Sequence, residues 1–179
     1  MVTSHDYVFW CGDFNYRIDM TGPEVKRLVN ERNWLDLQRF DQLTTQRLSG
    51  TVFREFEEGP IRFAPTYKYD QFCDDYDTSE KARSPAWTDR ILWRRWRAWF
   101  PRIEVDGSAT KLAEIKSTPI EIDWSPGRLL VYNRAELKTS DHRPVGAIMD
   151  IDISVVRLTR WPDFSTMPCD CSAKLLVLE

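Results

Sequence analysis

The stretch Tyr7-Val8-Phe9-Trp10-Cys11-Gly12-Asp13-Phe14-Asn15 decides the fold. Tyr7 to Cys11 is an unbroken apolar and aromatic run that reads as a buried strand, and Gly12-Asp13 turns the chain directly at its end. Asp13 and Asn15, two residues apart in an extended turn, can point to the same side. A second segment has the same character. Ser140-Asp141-His142-Arg143-Pro144 also joins an Asp to a second polar group beside an apolar run. Taken alone, each segment is equally ordinary strand-end turn chemistry.

Length and composition bound the rest. The 179 residues suit one domain or a large part of one, and a hydrophobic share of 42% with eight Trp is enough for a sizeable core. No stretch approaches the ~20 apolar residues of a membrane span, and Met1–Asp6 lacks the layout of a secretory signal. The four Cys (Cys11, Cys73, Cys169, Cys171) follow no zinc spacing and read as reduced, which fits a cytoplasmic protein. A net charge of −3 argues against non-specific nucleic-acid binding. Against that mean, Arg90, Arg94, Arg95, Arg97 and Arg102 form a run without an acid, expected as a positive face for a compact anion or an anionic membrane.

Along the chain, Thr21-Gly22-Pro23-Glu24 is a capping box opening a helix through Val25, Leu28 and Val29. Trp34, Leu35, Leu37, Phe40 and Leu43 predict a second helical stretch ending near Ser49-Gly50. Gly59 to Arg83 is rich in Pro and aromatics and reads as binding loops. Ile91–Trp93 and Leu129–Tyr132 predict short strands. Met149, Ile151, Ile153 and Val155 alternate with polar residues as a half-buried strand does. Trp93 is expected in the core, whereas Trp96–Phe100 suits either a covered edge or an anionic lipid interface.

Asp, Asn and His gathered from strand ends are what metal-assisted hydrolysis of a phosphate ester needs. A carboxylate holds Mg²⁺ or the attacking water, an amide steadies oxyanions, and imidazole handles charge or a proton. Asp89, between Thr88 and Arg90 at the start of an apolar strand, needs a partner. His142, one of only two His in the chain, could supply it.

These residues lie in longer ordered motifs: Phe9–Ile18, Pro85-Ala86-Trp87-Thr88-Asp89-Arg90-Ile91-Leu92 and Ser140–Val145. Together they resemble the signatures of the inositol polyphosphate 5-phosphatases. Phe63–Asp70, Tyr76–Lys81 and Arg134–Lys138 add a likeness to the synaptojanin group. The resemblance implies an α/β (α+β) fold of the DNase I-like endonuclease/exonuclease/phosphatase type, a β-sandwich flanked by helices. Residues 1–156 would be the C-terminal half of such a domain and residues 157–179 a tail, with a short apolar end at Leu175–Leu178. The first half, with a Glu expected to be the main Mg²⁺ ligand, is not in this sequence, so that half or a partner chain is expected to be needed.

The resemblance also implies roles. Asp13 orients or deprotonates water, Asn15 binds phosphoryl oxygens, and His142 contacts the scissile phosphate, oriented by Asp89. Asp141 lies beside the metal. Tyr67, Lys68, Lys81 and Arg83 hold the ring 4-phosphate, with Arg90 as a further substrate-binding cation. Which group is the base stays open. The implied activity is Mg²⁺-dependent removal of the 5-phosphate from phosphatidylinositol 4,5-bisphosphate and related inositol polyphosphates, by a cytoplasmic protein peripheral to membranes. Two alternatives remain: a non-catalytic phosphoinositide- or partner-binding module, and a nuclease of the same superfamily. Tyr67-Lys68 and Lys81-x-Arg83, with the acidic net charge, favour the inositol substrate.

Overall fold

The computed structural model describes residues 2, 5–96, 125–156 and 168–178. The opening apolar run forms β1 (Tyr7–Asp13), followed by the helices α1 (Gly22–Asn30), α2 (Trp34–Gln38) and α3 (Gln42–Leu48). Five strands come after them: β2 (Glu57–Glu58), β3 (Asp89–Arg95), β4 (Arg128–Arg134), β5 (Val145–Val156) and β6 (Pro168–Leu178). They make two antiparallel sheets of three strands, ordered β1-β3-β2 and β4-β5-β6.

The sheets meet through their central strands. On β5, Val145, Ala147, Met149 and Ile151 alternate inward and are all buried, while Ile91 and Trp93 of β3 belong to the same two core clusters. Inward alternation therefore begins four residues earlier than Met149 and leaves out Ile153, which is exposed; the Val155 side chain lies outside the described residues. Val25, Leu28 and Leu37 close the core from α1 and α2. Trp87 is fully buried, and its indole N–H donates to Phe63 O at 3.0 Å, which keeps that donor paired inside the core.

The local chemistry that starts each helix is visible. Glu24 Oε2 accepts from the Thr21 N–H at 3.2 Å and from its hydroxyl at 2.6 Å, which caps α1. The second helical stretch is not continuous. Asp41 breaks it into α2 and α3, because its side chain accepts the Thr44 N–H at 2.9 Å and so caps a new helix.

Asp41 also explains Arg90, which is not available to a substrate. The Arg90 side chain is fully buried on β3, bonded to Asp41 Oδ2 at 2.8 Å and to Glu58 at 2.6 and 2.9 Å. Arg47 and the Tyr132 hydroxyl reach the same Glu58 carboxylate at 2.7 and 3.1 Å. Of the positive face expected from Arg90 onward, the described arginines are likewise paired, while Arg97 and Arg102 lie outside the described residues. Arg94 pairs with Glu55 at 2.6 Å, and Arg95 faces Asp152 at 3.7 Å while lying over the Tyr7 ring. Trp93 is in the core as expected and Trp96 is half exposed beside Arg94; residues 97–124 lie outside the described residues. Toward the C-terminus, Pro168–Leu178 is a full strand along β5 rather than part of a tail with only a short apolar end.

Candidate active site

The site lies where β1 and β3 end together. Their register sets Asp13 directly opposite Asp89, and the Phe14 N–H donates to Thr88 O at 2.7 Å, so pairing continues into the turn. Gly12 has φ 139° and Asn15 φ 56°, both in the region that β-branched residues avoid, and the Asn15 N–H closes on Asp13 Oδ1 at 2.7 Å.

His142 arrives from the loop before β5. Its neighbours staple that loop to the segment around Tyr67: the Arg143 N–H donates to Thr66 O and the Tyr69 N–H to Asp141 O, each at 2.9 Å. His142 Nδ1 then lies 3.0 and 3.1 Å from the two Asp89 carboxylate oxygens. Asp89 Oδ2 also accepts from the Thr66 and Thr88 hydroxyls at 2.6 and 2.9 Å. The His142 ring packs against Tyr67 at a centroid distance of 4.6 Å.

Charge follows geometry. The hydrogen bond to Asp89 raises the His142 pKa against the opposing effect of burial, helped by the charges of Asp89, Asp13 and Asp141. Burial pushes the Asp89 carboxyl up, but the bonds from His142, Thr66 and Thr88 outweigh it and hold it below its ordinary value. With Nδ1 committed to Asp89, Nε2 is the ring nitrogen left to meet a ligand. In the imidazolium form it is a cationic donor suited to a phosphoryl oxygen.

The neighbouring loop brings cations. Lys68 Nζ lies 3.3 Å from Asp141 Oδ2, so the carboxylate expected beside the metal pairs with a lysine expected to hold phosphate. Asp77 organises the turn bearing Lys81 and Arg83, accepting the Ser79 and Arg83 N–H groups at 3.1 and 2.9 Å; bonds from Ser79 and Arg83 bring its pKa down to about 2. The Lys81 and Arg83 side chains are exposed. Tyr67 is buried by His142 and by the Arg17 guanidinium, 4.6 Å from its ring. Thr66 and Thr88, which fasten Asp89, escaped sequence reading. Each is a small hydroxyl inside a longer motif, with no pattern of its own.

Among the described residues no three His, Cys, Asp or Glu side chains come together to hold one metal ion. Asp89 is committed to His142 and two hydroxyls, and Asp141 to Lys68. These residues do not by themselves fit a divalent cation.

A two-sheet fold with Asp, Asn and an Asp-bound His at one end defines a class. Residues 1–148 match the model of the endonuclease/exonuclease/phosphatase family 2, and the chain belongs to that family. Within it, the chain is 60% identical to human synaptojanin-1 over 154 residues, which is 86% of this chain and 10% of that protein. It is 40% identical to the mouse type II inositol 1,4,5-trisphosphate 5-phosphatase over 87% of this chain and 13% of the relative. The inositol polyphosphate 5-phosphatase domain of SPsynaptojanin, solved in complex with inositol (1,4)-bisphosphate and calcium ion, superposes with a TM-score of 0.63 at 40% identity. That match covers 82% of this chain and 34% of the solved one. A Cimex nitrophorin in a ferrous NO complex also matches, with TM-score 0.57 and 28% identity over 78% of this chain and 40% of that one. The chain thus spans about a tenth of the length of the curated relatives it matches. The nitrophorin match means that fold alone does not decide activity, and side chains must. Among the described residues no helix is long and apolar enough to cross a membrane.

Proposed function

We propose that this chain carries the histidine half of an inositol polyphosphate 5-phosphatase site, acting on phosphatidylinositol 4,5-bisphosphate and related inositol polyphosphates. One observation carries the reading: His142 is bonded to Asp89 at 3.0 Å, and Asp89 lies across the strand pair from Asp13. His142, oriented through Nδ1, offers Nε2 to a scissile phosphoryl oxygen. Asp13 orients or deprotonates the attacking water, and the Asn15 amide donates to the phosphoryl group as negative charge builds. Lys68, Lys81 and Arg83, with Tyr67 shaping the pocket wall, receive a second phosphate on the ring. A phosphate-rich headgroup also supplies the contact with an anionic membrane at whose surface the protein works.

A divalent cation, magnesium in the cell, belongs to this reading through ligands beyond those the described residues gather. That shortfall favours a second reading for the 179 residues by themselves, a module that binds inositol phosphate without turnover. A phosphate-release assay with magnesium separates the two. It would be run on the chain alone and on the chain mixed with the N-terminal half of the human synaptojanin-1 domain. Release only from the mixture supports the first reading. Release from neither, with binding retained, supports the second. Release from the chain alone contradicts the shortfall of ligands.

A further inference from the structure

Arg17, whose guanidinium covers Tyr67, stands two residues beyond Asn15. Its backbone is clamped to the first residue of α3: its N–H donates to Gln42 Oε1 at 3.0 Å, and its carbonyl accepts the Gln42 N–H at 2.9 Å. Gln42 Nε2 is itself held by Asp19 Oδ1 at 2.7 Å. The Arg17 side chain therefore leaves the loop from a fixed root. Its guanidinium meets two groups of the site, lying 4.6 Å from the Tyr67 ring centroid and donating from Nη2 to Asn15 Oδ1. Among the described residues no carboxylate pairs with it.

A guanidinium has five N–H donors, no acceptor, and a charge that persists at any working pH. Only the oxygen of an amide can face it. The contact therefore fixes which way round the Asn15 amide lies, with Oδ1 toward Arg17 and the Nδ2 donors turned elsewhere. The Asn15 backbone is fixed too, at φ 56° with its N–H on Asp13. The same guanidinium covers Tyr67, and Tyr67 packs on the His142 ring. One cation on a half-buried side chain thus touches the supports of two proposed phosphate contacts.

We infer that Arg17 is a positioning residue: it locks the Asn15 amide with its N–H donors free for the phosphoryl group, and it holds Tyr67 against His142. The identity of the anion rests on the phosphatase reading; the orientation of Asn15 does not.

The test is a set of nitrogen-15 and ring-proton NMR spectra of the 179-residue chain, free and titrated with inositol (1,4)-bisphosphate. Two variants accompany the wild type: Arg17→Met keeps the stem but removes donors and charge, and Arg17→Lys keeps charge but loses the planar fork. In the free protein, Arg17→Met is expected to move the Asn15 side-chain amide and the His142 ring resonances while those of α1 and β5 stay in place. On titration it weakens binding about tenfold or more, the scale of one lost charge-assisted hydrogen bond. Arg17→Lys recovers part of that affinity and leaves the Asn15 amide displaced. An Asn15 amide that stays put in both variants overturns the inference, and so does unchanged affinity in Arg17→Met. If the wild-type chain binds no inositol bisphosphate while the Asn15 amide still answers to Arg17, the positioning of Asn15 stands and the reading of the 179 residues as a binding module by themselves falls.

Discussion

The His142–Asp89 pair sets the residue-scale expectations. His142 has a raised pKa in the folded chain, so its contribution to stability is fully present below its ordinary value of 6.5 and is lost as pH rises through the folded value. Asp89 has a lowered pKa, so its contribution is present above the ordinary value of 3.8 and is lost as pH falls through the folded one. The pair therefore stabilises most between those ordinary values. The thermal midpoint lost in His142→Ala should be largest near pH 5 and should shrink on the alkaline side; a loss independent of pH would mean the ring serves only as packing. In a complete domain, His142→Ala and Asp89→Asn should each cut turnover strongly, and the double variant should be little worse than the worse single one. Additive losses would assign Asp89 to the fold rather than to His142. Arg83→Ala should weaken binding of a ligand carrying a 4-phosphate about tenfold and one lacking it much less. Equal weakening of both ligands, measured by calorimetry, would remove Arg83 from the pocket.

Elements divide into those whose signals are local and those whose partners are distant. β1, the capped start of α1 and the strand at Ile91–Trp93 were legible because an apolar run, a capping box and a short hydrophobic core segment each carry their own cause. Asp13, Asn15, Asp89 and His142 were legible as motifs, and the bond between the last two follows from the need of a half-buried carboxylate for a partner. The break at Asp41 and the burial of Arg90 were not. A guanidinium in a run of five arginines reads as surface until acids from α3's cap and β2 are brought to it. Arg90→Ala leaves Asp41 and Glu58 buried without their cation and should cost about 3–5 kcal/mol of stability. Denaturant unfolding checks this, and an Arg90→Ala chain of native stability with weakened ligand binding would restore Arg90 to the site. β6 was missed because its residues alternate poorly, and its register comes from β5.

For the whole molecule, two facing sheets and their closing helices bring one loop from each sheet to a common end, and the proposed chemistry lives there. His142 comes from the strand order β4-β5-β6, Asp13 and Asp89 from β1-β3-β2, so neither sheet alone holds the site. Docking of the sheets through Ile91, Trp93, Val145, Ala147 and Met149 therefore sets the His142–Asp89 distance as well as stability. The most direct measurement is phosphorus-31 NMR of inositol 1,4,5-trisphosphate incubated with magnesium and the chain completed by the N-terminal half of the human synaptojanin-1 domain, as wild type and as His142→Ala. The 5-phosphate signal alone should be lost, with inositol 1,4-bisphosphate accumulating, and His142→Ala should show no turnover. Release from another ring position, or undiminished release by His142→Ala, would contradict it.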